Sequence, residues 1–251
     1  MKANQPSLGE QAVSKVLELG IASQFDNADE FDVEVHTNDP LKLVQGEADS
    51  VAIAASGVVT QQDLRVESLE ITTDEVSINP LTALFGKVDM LHATNADVRL
   101  TLSEADINRA IASEFFRSHL QNLELHMREL TVTLDLQQPN IQLLPGNRIA
   151  LSTHLFLKET GDQKQLSLRV IPYLRDQGHR IALEVESASG QGLSLEFLMA
   201  LLDQIVRFLD LRNFMPPGIT LQLNTLEVQP QKLHLRGKTT LEKIPETLQQ
   251  S

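Results

Sequence analysis

Apolar and polar residues alternate along most of this chain with a period of two. The pattern is clearest in eight segments: EFDVEVH (30–36), ADVRLTL (96–102), RELTVTLDLQ (128–137), NRIALSTHLFL (147–157), QLSLRVI (165–171), RIALEVE (180–186), GITLQLN (218–224) and KLHLRG (232–237). Strict alternation predicts strands with one solvent-exposed face and one buried face, which is typical of antiparallel sheets. Turn residues at 145–147, 161–162 and 177–178 predict hairpins between neighbouring strands.

Three segments instead repeat their apolar residues with a helical period. The first runs from about Leu8 to Phe25, and the second begins at Ser103, where Asp106 three positions later completes a capping box. The third begins at Ser194 and ends before Pro216, and apolar side chains cover most of its circumference. Such a helix is buried or contacts lipid, and this one is too short and too charged to span a bilayer.

Few helices among many alternating strands predict an α+β fold with helices packed on one face of an antiparallel sheet. No proline-rich or low-complexity linker divides the 251 residues. We therefore expect one domain over residues 1–251, with a core from about residue 8 to residue 245 and a short C-terminal tail that frays.

Composition narrows the classes of function. A formal net charge of −13, one Tyr and no Trp argue against binding to nucleic acid. The absence of Cys excludes thiolate metal sites, and the seven His residues have no ligand spacing, so we predict no metal site and no cofactor. The N-terminal segment lacks the apolar stretch of a signal peptide and no other segment reaches spanning length, which predicts a cytoplasmic protein, soluble or peripheral to a membrane.

Catalytic motifs are also missing. The sequence contains no nucleophile elbow, zinc-protease helix, phosphate-binding loop or dinucleotide fingerprint. Pairs of carboxylates such as Glu184 and Glu186 alternate with apolar residues and simply occupy the wet side of a strand. We predict that the protein is not an enzyme.

One basic cluster stands out in this acidic chain. Lys232, His234, Arg236 and Lys238 occupy alternate positions of one predicted strand, so all four side chains lie on one face. They form either a solvated strand face, such as a charged edge that resists aggregation, or a contact for anionic lipid headgroups.

Three stretches resemble a known family. They are LTLSEADINRAI (100–111), LVQG (43–46) and LDLRNF (209–214), the last leading into LEVQPQKLHLRG (226–237). They are similar to the LmeA-like phospholipid-binding family of bacteria, and the resemblance extends from about Leu17 to about Pro245. It implies a tubular lipid-binding fold, in which a strongly curved antiparallel sheet wraps around a long apolar helix, here with two further helices.

The resemblance also implies a site. The helix from Ser194 would form the inner wall of a lipid groove, lined by Leu198, Met199, Leu202, Ile205 and Leu209. The resemblance does not fix the headgroup contacts; from the alternation of basic residues alone, we expect Lys232, His234, Arg236 and Lys238 to contact headgroups. We expect a non-enzymatic protein that holds or transfers a phospholipid or glycolipid at a membrane face, which includes an anionic membrane surface as a partner. The alternative is a scaffold domain whose closed core holds no ligand.

Overall fold

Each of the eight alternating segments overlaps a strand of the computed structural model, which describes residues 28–59, 64–79, 90–128, 130–190, 192–213, 215 and 218–242. The strands are β1 (Glu30–His36), β2 (Glu47–Ala48), β3 (Ser50–Val59), β4 (Arg65–Thr73), β5 (Val76–Ser77), β6 (Thr94–Ser103), β7 (Leu123–His126), β8 (Thr131–Leu144), β9 (Arg148–Leu157), β10 (Gln163–Arg175), β11 (Arg180–Ser189), β12 (Ile219–Gln229) and β13 (Lys232–Leu241). The helices are α1 (Pro40–Val44), α2 (Glu104–Ala112), α3 (Glu114–His119) and α4 (Leu195–Phe208).

These strands form two main antiparallel sheets. One has six strands in the order β1-β3-β4-β6-β13-β12, and the other has five in the order β11-β10-β9-β8-β7. Strands β2 and β5 form a separate small pair. The predicted single curved sheet around a long apolar helix is therefore wrong, because the strands divide between two sheets and the helices of the described residues are short.

Helix α4 is the element on which that prediction depended. Ser194 caps its first turn, accepting a hydrogen bond from the backbone N–H of Phe197 at 3.1 Å. The helix ends after 14 residues, a length of about 21 Å. The Leu8–Phe25 helix predicted from the sequence lies outside the described residues.

The apolar side of α4 packs on the five-stranded sheet. Phe197 and Leu201 are 6% and 0% exposed, and they join a core cluster of the sheet. The other buried members of this cluster are Leu125, Leu134, Leu136, Leu155, Leu166, Leu168 and Val170. Full burial of a leucine contributes about 1.5–3 kcal/mol, so this cluster is a principal source of stability.

Both edge strands of the five-stranded sheet bond to the α4 segment. The side-chain amide of Gln204 donates to the carbonyl of Glu124 in β7 at 3.0 Å. The backbone N–H of Ile181 in β11 donates to the carbonyl of Leu209 at 3.2 Å. The helix thus spans from one edge of the sheet to the other, and these bonds satisfy backbone groups that an edge strand leaves free.

Asp210 terminates the α4 segment. Its carboxylate accepts hydrogen bonds from the Arg212 guanidinium at 2.6 and 2.8 Å and from Arg180 of β11 at 3.2 Å. The Arg212 side chain, with further bonds from the Arg212 backbone N–H and from Arg180, holds the pKa of Asp210 well below its usual range. This turn ends the helix and ties it to β11.

Helix α2 joins the two sheets. It continues directly from β6, and Ser103 caps it by accepting a bond from the Asp106 N–H at 3.0 Å. The side chain of Asn108 bonds both backbone groups of Ile141 in β8, each at 2.8 Å. Glu104 accepts the N–H of Leu143 at 2.7 Å. Strand β9 pairs with one edge of β8 here, but β7 reaches only Leu134 on the other edge, so α2 completes that second edge.

A second contact connects β12 to the turns of the five-stranded sheet. Asn147 in the β8–β9 turn accepts the N–H of Val228 at 2.8 Å. His179, after β10, bonds the carbonyl of Leu221 at 2.9 Å. Gly178 has φ +89°, and a Cβ added there would lie 1.8 Å from the carbonyl oxygen of Leu223. The backbone of Gly178 therefore approaches β12 so closely that only glycine fits at this position.

We predict that Gly178→Ala lowers the free energy of unfolding by about 3 kcal/mol or more, because it adds a backbone clash to the strain of a positive φ. Gly161→Ala is the matched control: φ is +72°, and nothing lies within 4 Å of the added Cβ. It should cost only about 1 kcal/mol. Urea unfolding of both variants measures the difference, and equal losses would contradict the close contact.

We also predict that Asp210→Asn lowers the free energy of unfolding by about 2 kcal/mol near pH 7. Because folding lowers the pKa of Asp210, its contribution is complete above the unfolded value of about 3.9 and is lost as pH falls through the folded value. The difference between the variant and the native protein should therefore shrink below about pH 4.

Urea unfolding from about pH 7 to about pH 3 tests this dependence. Asp203→Asn is the control, because the Asp203–Arg207 pair is exposed on α4 and should contribute under about 1 kcal/mol. A loss at Asp210 that stays constant over the whole range would show that its charge is not responsible.

Candidate functional site

The five predicted groove residues on α4 do not share one environment. Leu198, Leu202 and Ile205 are half-buried and pack against the core of the five-stranded sheet. Met199 is 63% exposed on the outer side of the helix, and Leu209 is half-buried at its C-cap. The structure thus separates these residues between the core and the solvent, and their contact with lipid stays a prediction.

The four basic residues of the stripe lie at alternate positions of β13. This strand lies between β6 and β12, so the charged edge given as an example of a solvated strand face is wrong, while the solvated face itself stays open. Lys232 forms an ion pair with Glu67, and His234 hydrogen-bonds Thr101 at 3.1 Å. Among the described residues, no carboxylate lies within ion-pair distance of Arg236 or Lys238. Headgroup binding by the stripe stays a prediction.

The register of β13 places charged residues of β6 directly opposite two residues of the basic stripe. Arg236 lies directly opposite Arg99 of β6, and Lys238 lies opposite Asp97. On the other side of β6, Arg99 is opposite Glu70 of β4, and the two form an ion pair at 3.3 Å. Four of these side chains line a groove of about 610 Å³ on the polar face of the six-stranded sheet, namely Glu70, Asp97, Arg99 and Arg236.

The opposite face of this sheet is apolar. Ile53, Ile71 and Val98 form a row across β3, β4 and β6, and Leu69 and Leu100 form the next row. All five side chains are half-buried. The second row continues through Leu235 of β13 to Leu226 of β12, so an apolar surface crosses five strands.

Ile71 and Val98 lie at the centre of that surface. Two core clusters flank them: one around Val33, Val35, Ala48 and Val51, and one around Ala55, Val58, Val66 and Leu102. Within the part of the chain that the structure describes, Ile71 and Val98 pack against neither cluster. The surface centred on them is here called the central apolar surface.

Two classes of site are absent from the described residues. No group of three or more His, Asp or Glu side chains there is arranged to hold a metal ion. In the same residues, no helix has the length and apolar composition needed to cross a membrane.

Comparison with known protein families shows which family this chain belongs to. The family model described as LmeA-like phospholipid-binding matches residues 5–238, which is nearly the whole chain. The chain belongs to this family. No curated protein and no solved structure matches it.

Two of the three LmeA-like motifs quoted above have structural roles in this chain. LTLSEADINRAI (100–111) covers the end of β6 and the start of α2, whose Glu104 and Asn108 complete the edge of β8. LDLRNF (209–214) contains Asp210 and Arg212, which close the turn after α4. Both motifs therefore help to hold the arrangement of the sheets.

Sequence patterns did not identify Arg99, Ile71 and Val98 as site residues. Each occupies an ordinary position of an alternating strand, so no local signal distinguishes it. Their importance comes from strand pairing, which brings Arg99 beside Arg236 and Ile71 beside Val98. Only the register could have revealed them.

Proposed function

We propose that this protein is a non-enzymatic lipid carrier, which holds or transfers a phospholipid at a membrane face and binds acyl chains on the central apolar surface. The observation that carries the proposal is the match of an LmeA-like phospholipid-binding family model to nearly the whole chain. The row of half-buried aliphatic side chains across β3, β4 and β6 supports the position of the acyl chains.

The energetics of acyl burial favour such a surface. Each methylene group removed from water contributes about 0.8 kcal/mol, so a few methylene groups on Ile71 and Val98 give useful affinity. The core beneath α4 is less suitable, since Leu125, Leu155 and Leu201 are each 0% exposed there. Filling of that core by the protein's own side chains leaves the six-stranded sheet as the better acyl-chain surface.

The chain should act as one lipid-binding unit. Strand β12 belongs to the six-stranded sheet, and helix α2 follows directly from its strand β6. Both elements also form hydrogen bonds with the five-stranded sheet. A ligand that reduces the motion of one sheet would therefore also reduce the motion of the other. A scaffold without ligand is the competing function, and the two experiments below separate it from lipid binding.

The protein contains no Trp, so a single introduced Trp reports on one position. We predict that phospholipid brominated on its acyl chains, supplied in vesicles, quenches the fluorescence of Ile71→Trp. Thr72→Trp is the matched control, because its side chain lies on the opposite, polar face of the same strand. We expect little quenching there.

A third variant, Met199→Trp, tests the helix residues predicted from the sequence. Strong quenching at Met199 with none at Ile71 would move the acyl-chain site to α4. Equal quenching at all three positions would indicate nonspecific adsorption and contradict the central apolar surface. Circular dichroism of each variant checks that it is folded.

Purification offers a direct measurement as well. We predict that an organic extract of the purified protein contains phospholipid near one equivalent per chain by mass spectrometry. An unrelated protein of similar expression level, extracted in parallel, is the control. A clean extract that stays clean after incubation with vesicles would support the scaffold function instead.

A further inference from the structure

The polar groove of the six-stranded sheet has the size of a small-molecule site. Its volume is about 610 Å³, within the usual range of about 300–1,000 Å³ for ligand pockets. Strands β4, β6 and β13 form its floor, and Asn224 and Thr225, at the bulge in β12, lie at one side. It is on the other face of the sheet from the central apolar surface, so the two can be tested separately.

Two arginines meet in this groove. Arg99 and Arg236 are directly opposite each other on neighbouring antiparallel strands, a position at which like charges destabilise a sheet. Arg99 has one carboxylate partner, Glu70, in a pair whose side chains are 67% and 58% exposed. Arg236 forms no ion pair with any described residue. An anion between the two guanidinium groups would remove the repulsion, and phosphate fits because it accepts several charge-assisted hydrogen bonds.

Carboxylates occupy the other side of the same groove. Glu70 lies on β4 and Asp97 on β6, while Arg236 and its strand neighbour Lys238 lie on β13. The charge therefore changes across the sheet: β4 contributes Glu70, β6 contributes both Asp97 and Arg99, and the excess of cations lies on β13. A simple anion would be attracted to one side and repelled by the other. A ligand with a positive and a negative group complements both.

We propose that this groove binds a zwitterionic phosphate ester that carries an amine, such as a phosphoethanolamine group. The phosphate lies between Arg99 and Arg236, and the ammonium group lies near Asp97 and Glu70. The same chemistry occurs in a soluble phosphoamine and in a phospholipid headgroup.

Titration of the full-length protein followed by two-dimensional NMR tests the site. The probes are O-phosphoethanolamine, glycerol 3-phosphate, which lacks the amine, and ethanolamine, which lacks the phosphate. We expect O-phosphoethanolamine to shift the backbone amides of 97–99 and 236–238 and to bind about tenfold more tightly than either of the other probes.

Single substitutions assign the two halves of the ligand. Arg236→Gln should weaken O-phosphoethanolamine and glycerol 3-phosphate alike, by about tenfold. Asp97→Asn should weaken only O-phosphoethanolamine, to the affinity of glycerol 3-phosphate. Arg207→Gln, which removes an exposed arginine on α4, is the control and should change neither. The melting temperature of Arg236→Gln should be unchanged or raised, since a like-charge contact is relieved.

Short-chain lipids identify the source of the ligand. Tighter binding of dihexanoyl phosphatidylethanolamine than of O-phosphoethanolamine, with the same shifted amides, would indicate a lipid headgroup. Weaker binding would indicate a soluble phosphate ester. No shift at 97–99 and 236–238 with any probe, or equal affinities of native protein and Arg236→Gln, would overturn the proposal. Neither result would alter the quenching expected at Ile71.

Discussion

The second half of strand β8 relies on side chains, rather than on another strand, for hydrogen bonds along one edge. Asn108 bonds both backbone groups of Ile141, Glu104 bonds the N–H of Leu143, and the carbonyl of Leu143 accepts the N–H of Gln231 at 3.4 Å. Each such group left unpaired in the interior would cost about 1–3 kcal/mol. Because α2 continues from β6 and Gln231 joins β12 to β13, this edge holds both sheets in one arrangement.

Local sequence patterns predicted eight of the thirteen described strands and predicted their assembly poorly. Alternation marks a strand because burial selects every second side chain, as at Val33 and Val35 of β1. It contains no information on which strand lies beside it, so one sheet was expected where two exist. Five strands escaped prediction, namely β2, β3, β4, β5 and β7. In β3 the small apolar residues, SVAIAASGVV, do not alternate clearly. The length of α4 also depended on a nonlocal partner: Arg180 of β11, which helps Asp210 to end it.

The same limit applies to charged and apolar sites. Asp106 was expected only to complete a capping box with Ser103, and its burial was not predicted. It is 2% exposed, with Ser103 donating to it at 2.6 Å and Arg65 at 3.3 Å. The sequence placed Arg236 on a basic face but could not place Arg99 beside it. A single sheet thus carries an apolar surface and a charged groove on opposite faces, and both arise from pairing between distant strands.

The order of the strands has a consequence for how the chain reaches this structure. Strands β7 to β11 follow one another in the sheet as they do in sequence, so the five-stranded sheet can form from successive hairpins. Strand β6, by contrast, has β13 as one of its two neighbours in the sheet, and β13 is the last described strand to be synthesised. Until β13 is synthesised, the edge of β6 that faces it has unpaired backbone groups, which can pair with other chains and favour aggregation. The contact between Arg99 and Arg236 is consequently among the last to be made.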